Sequence, residues 1–165
     1  MMDARVAIYV DYNSQLAKSV AESIWSGLTR SAAQSGGGRI STYWDGLDPR
    51  NVLKLATSRS PRPEGAERGV VIFAVGQDRP DAVDDIPVAD LSGTERTIFG
   101  LVVAVPEPQS PLAGPLLYQG VERLTNGGVR MGDIEPALLR SASAECESYA
   151  ERLMERLRDA RGRAR

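Results

Sequence analysis

The residues that could do chemistry in this chain are carboxylates and small polar side chains that follow apolar runs. The sequence Asp11-Tyr12-Asn13-Ser14-Gln15 comes directly after the apolar run 5–10 (RVAIYV) and leads into a segment with helical apolar spacing. A strand that turns through a short polar loop into a helix presents free backbone N–H groups, and such a site attracts phosphate. We therefore predict that Asn13, Ser14 and Gln15 could hold a phosphate group.

The same residues have a simpler interpretation. Ser14 or Asn13 can cap the helix that follows, because a side-chain oxygen accepts a hydrogen bond from a free N–H of the first turn. Asp11 favours this alternative, since its carboxylate would repel a phosphate at the same end of the strand. The sequence leaves both interpretations open and favours capping.

Composition restricts the kinds of chemistry that the chain can perform. Histidine is absent from its 165 residues and Cys146 is its single cysteine, which argues against histidine-dependent nucleophiles and zinc sites. Cys146 falls in the apolar register of the last helix, where we expect a buried, inert thiol. The net charge of −2 does not favour nucleic acid, and no apolar stretch is long enough for a membrane span.

The N-terminus lacks the features of a secretion signal, so we expect a cytoplasmic protein. We predict no catalytic side chain and no metal ligand. Any redox chemistry would therefore come from a bound cofactor.

The elements that must position these residues alternate between strands and helices. Strands are predicted at 5–10, 39–44, 69–75, 97–105 and 129–131, and helices after 14, after Asp48, at 116–124 and at 141–158. Segments 69–75 and 97–105 are apolar on both faces, as central strands of a parallel sheet are. The pattern predicts a three-layer α/β/α sandwich with a mostly parallel five-stranded sheet. Residues 1–160 are expected to form one domain, and 161–165 a basic, frayed tail.

Several motifs resemble those of the flavodoxin family and of the related FMN domain of the diflavin reductases. IYVDYNSQ followed by LAKSVAESI is similar to the opening strand, phosphate turn and first helix of that family. GVVIFAVGQDRPDAVDD and IFGLVVAVPEPQS are similar to the strands and loops that flank its flavin ring. The resemblance implies a flavodoxin-like fold that binds FMN and transfers electrons to or from a partner protein or small substrate. If the protein is an enzyme, it is then a flavin-dependent oxidoreductase.

The same resemblance indicates where the cofactor would lie. The phosphate is expected in the first turn and the flavin ring between the two later loops. The residues implied to bind FMN are Tyr12, Asn13, Ser14, Gln15, Gly76, Gln77, Asp78, Pro106, Glu107 and Gln109.

Two alternatives stand beside the flavin hypothesis. The chain lacks the Thr-Gly pair of the family's phosphate turn and the aromatic residues of its two ring loops. These departures favour a cofactor-free flavodoxin-like protein that acts as a protein-interaction or regulatory module. Its acidic segment 78–90, with five Asp against one Arg, could steer a basic partner by long-range attraction. A homodimer is a further expectation.

The other alternative is a metal-dependent nuclease of the PIN or NYN type. It requires that Asp11, Asp78 and Glu107 converge on one Mg²⁺ site at the carboxyl ends of three strands.

Overall fold

The structure is a computed structural model that describes residues 3–11, 13–34, 39–47, 68–86, 97–107 and 110–163. Its strands form one parallel sheet in the order β2-β1-β3-β4-β5. They are β1 (Asp3–Asp11), β2 (Arg39–Leu47), β3 (Arg68–Gly76), β4 (Thr97–Ala104) and β5 (Ile134–Leu139). The helices are α1 (Gln15–Gln34), α2 (Ala113–Asn126) and α3 (Ser143–Arg163), with short 3-10 helices at Pro80–Asp85 and Met131–Asp133. The chain is thus an α/β protein built on a parallel sheet.

The sheet buries side chains on both faces, because successive residues of a strand point to opposite sides. Ile72 of β3 lies in a core shared with α1 and α3. Its neighbour Phe73 lies in the other core, with α2 and the 3-10 helix at 80–85, and stacks on Tyr9 with ring centroids 5.9 Å apart. Helices therefore cover both faces, an arrangement compatible with the predicted three-layer sandwich.

Helices α1 and α3 pack closely on one face of the sheet. The apolar spacing of α1 places Val20, Ile24 and Leu28 in the core, as the sequence predicts. A Cβ built on Gly27 would lie 3.1 Å from the Cβ of Ala150, so the glycine allows the two helices to approach. Cys146 of α3 is buried, which confirms its predicted environment.

The last strand lies later in the chain than predicted, and the prediction of a strand at 129–131 is wrong. Met131–Asp133 is a 3-10 helix and the strand begins at Ile134. Pro136 made this strand difficult to predict, because proline lacks an N–H and is tolerated in a sheet mainly at an edge. β5 occupies such an edge.

The other boundaries differ by a few residues. α2 begins at Ala113 rather than 116, and α3 continues past 158 to Arg163. The helix predicted after Asp48 lies outside the described residues. Within the described ranges, no helix combines the length and the apolarity needed to cross a membrane.

Candidate functional site

The residues that follow β1, β3 and β4 meet at the carboxyl edge of the sheet. The hydroxyl of Ser14 donates a hydrogen bond to the carboxylate of Asp78 over 2.5 Å. The backbone N–H of Gln77 donates to Ala104 O over 2.9 Å, and its side-chain amide donates to Ser110 Oγ. The three loops are therefore tied to one another. We call Asp11, Ser14, Gly76, Asp78 and Arg79 the edge cluster.

Ser14 caps helix α1. Its Oγ accepts a hydrogen bond from the N–H of Ala17 over 3.0 Å, and its carbonyl accepts one from Lys18 over 3.0 Å. The side chain is buried and its single hydroxyl proton is directed to Asp78. The capping interpretation is therefore confirmed, and the hydroxyl is already used both as a donor and as an acceptor.

Gly76 is the point at which three segments come into contact. A Cβ built on Gly76 would overlap the Ser14 hydroxyl and the Asp78 carboxylate, and it would lie 2.8 Å from the Cβ of Ser14. No side chain larger than hydrogen fits there unless its neighbours move. The glycine is thus required by close approach, and the space beside it is filled by side chains of the chain itself.

A buried carboxylate lies beneath this contact. The side chain of Asp11 is fully buried, and its Oδ1 accepts a hydrogen bond from the N–H of Asn13 over 3.1 Å. The guanidinium of Arg79 approaches the same oxygen at 3.4 Å. A buried carboxylate is costly without such compensation, so Arg79 stabilises the end of β1 from the loop that follows β3.

The remaining predicted site residues are peripheral to the edge cluster. Asn13 and Gln15 are exposed at the start of α1, and Pro106 and Glu107 are exposed after β4. Within the described residues, no hydrogen bond joins the side chains of Asn13, Gln15 or Glu107 to the cluster. Tyr12 and Gln109 lie outside the described residues.

The prediction of the site did not include Arg79 or the side-chain contact made by Ser110. Arg79 is the single cation in an acidic segment, a signal that could have been noticed as a partner for a buried carboxylate. Ser110 ends the loop that was expected to flank the flavin ring, but its hydrogen bond with Gln77 could not be predicted, since that contact depends on the path of the loop after β4. In the described part of the chain, the side-chain Oε1 of Gln77 is buried without a hydrogen-bond partner.

The carboxylates do not gather into a metal site. Across the described ranges, which include Asp11, Asp78 and Glu107, no group of three or more acidic, cysteine or histidine side chains could hold a metal ion. Asp11 pairs with Arg79 and Asp78 with Ser14 instead. The convergence that the nuclease alternative requires is therefore not found.

The edge cluster also does not fit a phosphate group as it stands. A phosphate would need the Ser14 hydroxyl, which is already engaged, and the space at Gly76, which Asp78 and Ser14 fill. It would also meet two carboxylates against one guanidinium, and the net charge would repel it. The carboxylate of Asp78 lies at the capped N-terminus of α1, the place where a helix favours negative charge. The negative charge at this helix N-terminus is thus the Asp78 carboxylate of the chain itself.

No family model matches this chain, and no match to it was found among the curated proteins. The function is therefore inferred from the edge cluster and from the surfaces that surround it.

Proposed function

We propose that this protein has a flavodoxin-like fold and acts, without a bound flavin, as a protein-interaction module. The strand order β2-β1-β3-β4-β5 in a parallel sheet supports the fold proposal, because it is the order of flavodoxin-like doubly wound sheets. In such sheets the ligand lies where the strand order reverses, between β1 and β3 at their carboxyl ends. In this chain that place is the edge cluster.

One observation carries the functional proposal. The hydrogen bond between Ser14 and Asp78 lies directly against Gly76, at the position where a cofactor phosphate would have to enter. A phosphate would have to displace the Asp78 carboxylate and break the cap of α1. The edge cluster would offer it no further cation in return, since its single guanidinium, that of Arg79, already pairs with Asp11. If the ligand site is closed in this way, the protein acts through its outer surface, by binding a partner protein.

Titration of the purified protein with FMN tests this proposal against the flavin hypothesis. We expect no quenching of flavin fluorescence and no change in the thermal midpoint. A ligand that binds only the native state stabilises it by about 2.7 kcal/mol at a hundredfold excess over Kd. For a chain of this size, that corresponds to a rise of roughly 5 to 10 °C. Flavin absorbance that stays with the protein, together with such a rise, would overturn the proposal.

Substitutions at Asp78 test whether its carboxylate is what excludes a phosphate group from the site. Asp78→Asn removes the charge and keeps the shape, whereas Asp78→Ser removes both, so inorganic phosphate should bind Asp78→Ser best and the wild type least. Glu107→Gln is the matched control, because Glu107 is an exposed carboxylate near the same edge and outside the cluster. Equal phosphate affinity in the wild type and in Asp78→Ser would show that Asp78 does not close the site.

A further inference from the structure

We propose that the exposed side of helix α2, with the acidic residues beside it, docks a cationic amphipathic helix of a partner protein. This inference rests on the proposed function and adds to it the surface and the kind of partner. We call the surface formed by Leu112, Pro115, Tyr118 and Glu122 the α2 face.

The α2 face presents large apolar side chains to solvent. Leu112 is 64% exposed and Tyr118 is 68% exposed, while Leu116 of the same helix is buried in the core on that side of the sheet. Pro115 is exposed between them, and spacings of three residues keep the three side chains on one side of the helix. Among the described residues, the other exposed large apolar side chains are Trp25 and Met131. Adjacent exposed apolar residues that include a tyrosine are typical of protein-binding surfaces.

Acidic residues border this apolar surface. Asp81 and Asp84 are exposed on the 3-10 helix that packs beside α2, and Gln119 Nε2 donates to the carboxylate of Asp84 over 2.9 Å. Glu122 is exposed one turn after Tyr118. Within the described part of the chain, none of these three carboxylates forms an ion pair. The surface therefore attracts cationic groups and repels nucleic acid and anionic membranes.

The α2 face is held in place by contacts on its inner side. Arg123 Nε donates to the carbonyl of Ile86 over 2.9 Å, which joins α2 to the end of the 3-10 helix. Gly120 lies so close to Leu101 that an added Cβ would be 2.7 Å from Cδ2 of that leucine. A surface that is already ordered loses little conformational entropy on binding. The apolar row and its acidic border are thus presented as one fixed pattern.

The length of the apolar row and its acidic border together match a cationic amphipathic helix as the occupant. Leu112 and Tyr118 are six positions apart, or roughly 9 Å along the axis, which is the span of about two helical turns. A partner helix with apolar residues at helical spacing would cover this row, and its flanking Lys or Arg residues would face Asp81, Asp84 and Glu122. Apolar area would supply the affinity, and charge the orientation and the association rate.

A designed peptide provides the probe. It is a labelled helix of about 14 residues with Leu at positions i, i+3, i+4 and i+7 and Lys elsewhere, and its binding is followed by fluorescence anisotropy. We expect saturable binding that weakens as salt increases. Tyr118→Ala and Glu122→Lys should each weaken it about fivefold or more. Met131→Ala is the matched control, since Met131 is 67% exposed but follows the far end of α2, and it should leave the affinity unchanged.

Several results would overturn the docking proposal. One is an absence of saturable binding, and another is a loss of peptide affinity in Met131→Ala as large as that in Tyr118→Ala. A third is that the wild type binds a peptide with Ser in place of Leu as tightly as it binds the Leu peptide. Self-association of the wild type that Tyr118→Ala abolishes would assign the face to a second copy instead. Binding to vesicles of anionic phospholipid would assign it to a membrane.

The FMN titration on the same samples separates the two proposals. Flavin uptake by the wild type overturns the proposed function whether or not the peptide binds. Absence of peptide binding without flavin uptake overturns the docking surface alone. Thermal midpoints of the variants within about 2 °C of the wild type establish that they are folded.

Discussion

Gly76→Ala tests the closed edge cluster directly. The new methyl group would displace the Ser14 hydroxyl and the Asp78 carboxylate. Loss of a serine cap costs about 1 kcal/mol, and loss of a hydrogen bond to a charged group about 1.5 to 3 kcal/mol. We therefore expect the free energy of unfolding to fall by about 2 to 4 kcal/mol, offset only slightly by the stiffer unfolded chain. Urea denaturation followed by circular dichroism measures this change, provided that the m-value is unchanged.

A double-mutant cycle shows whether the cost comes from the stated contact. Ser14→Gly removes one of the two side chains that the new methyl group would strike, and the other, Asp78, is exposed and can turn toward solvent once its bond to Ser14 is gone. Glycine is itself a tolerated cap. In that background Gly76→Ala should cost under about 1 kcal/mol, which gives a coupling energy of about 1 to 3 kcal/mol. Gly114→Ala is the control, since nothing lies within 4 Å of its built Cβ, and it should be neutral or slightly stabilising. A cost at Gly76 that is equal with and without Ser14 would refute the reasoning.

Three further predictions concern the core and β5. Burial raises the pKa of Cys146 from 9.0 to about 11, so the unfolded chain ionises first, and stability present below pH 9 is lost as the pH rises toward 11. Between pH 9 and pH 11, the free energy of unfolding of Cys146→Ala should therefore fall less than that of the wild type, as measured by urea denaturation at each pH. Tyr149→Phe removes a hydrogen bond of 2.7 Å to Glu135 O and should cost about 1 kcal/mol in the same assay. Arg156 donates hydrogen bonds of 3.0 Å to Ile134 O and 2.9 Å to the Glu135 carboxylate, so Arg156→Ala should lower the free energy of unfolding by about 1 to 3 kcal/mol. Arg152→Ala should lower it by under about 1 kcal/mol, because Arg152 is more exposed.

The central elements could be predicted because their sequence pattern has one physical explanation. β3 and β4 are continuously apolar, since both faces of each strand are buried. The four-residue repeat of Val20, Ile24 and Leu28 fits one side of a helix, and these residues lie in one core. β5 could not be found in this way, since Pro136 is unfavourable for a strand unless the strand is known to be at an edge. Edge position is a property of the whole sheet.

The site was harder to predict because its decisive contacts join distant parts of the sequence. Ser14 looks the same in the sequence whether it caps a helix or holds a phosphate. The difference is made by Asp78, which lies 64 positions away, and by Gly76, whose missing side chain allows the two to meet. Arg79 and Asp11 are 68 positions apart. Residue types therefore located the site at the carboxyl edge of the sheet, but they did not show which of its side chains would form hydrogen bonds or ion pairs with one another.

Pro136 has one more consequence, for how this molecule behaves when it is concentrated. An exposed edge strand offers a row of unpaired donors and acceptors to which another chain can add a strand, and this is a common route to aggregation. β5 forms one margin of the sheet, and Pro136 leaves a position without a donor in the middle of its six residues. A foreign strand aligned along β5 would find its ladder interrupted there, so this margin resists the growth of the sheet into a neighbouring molecule.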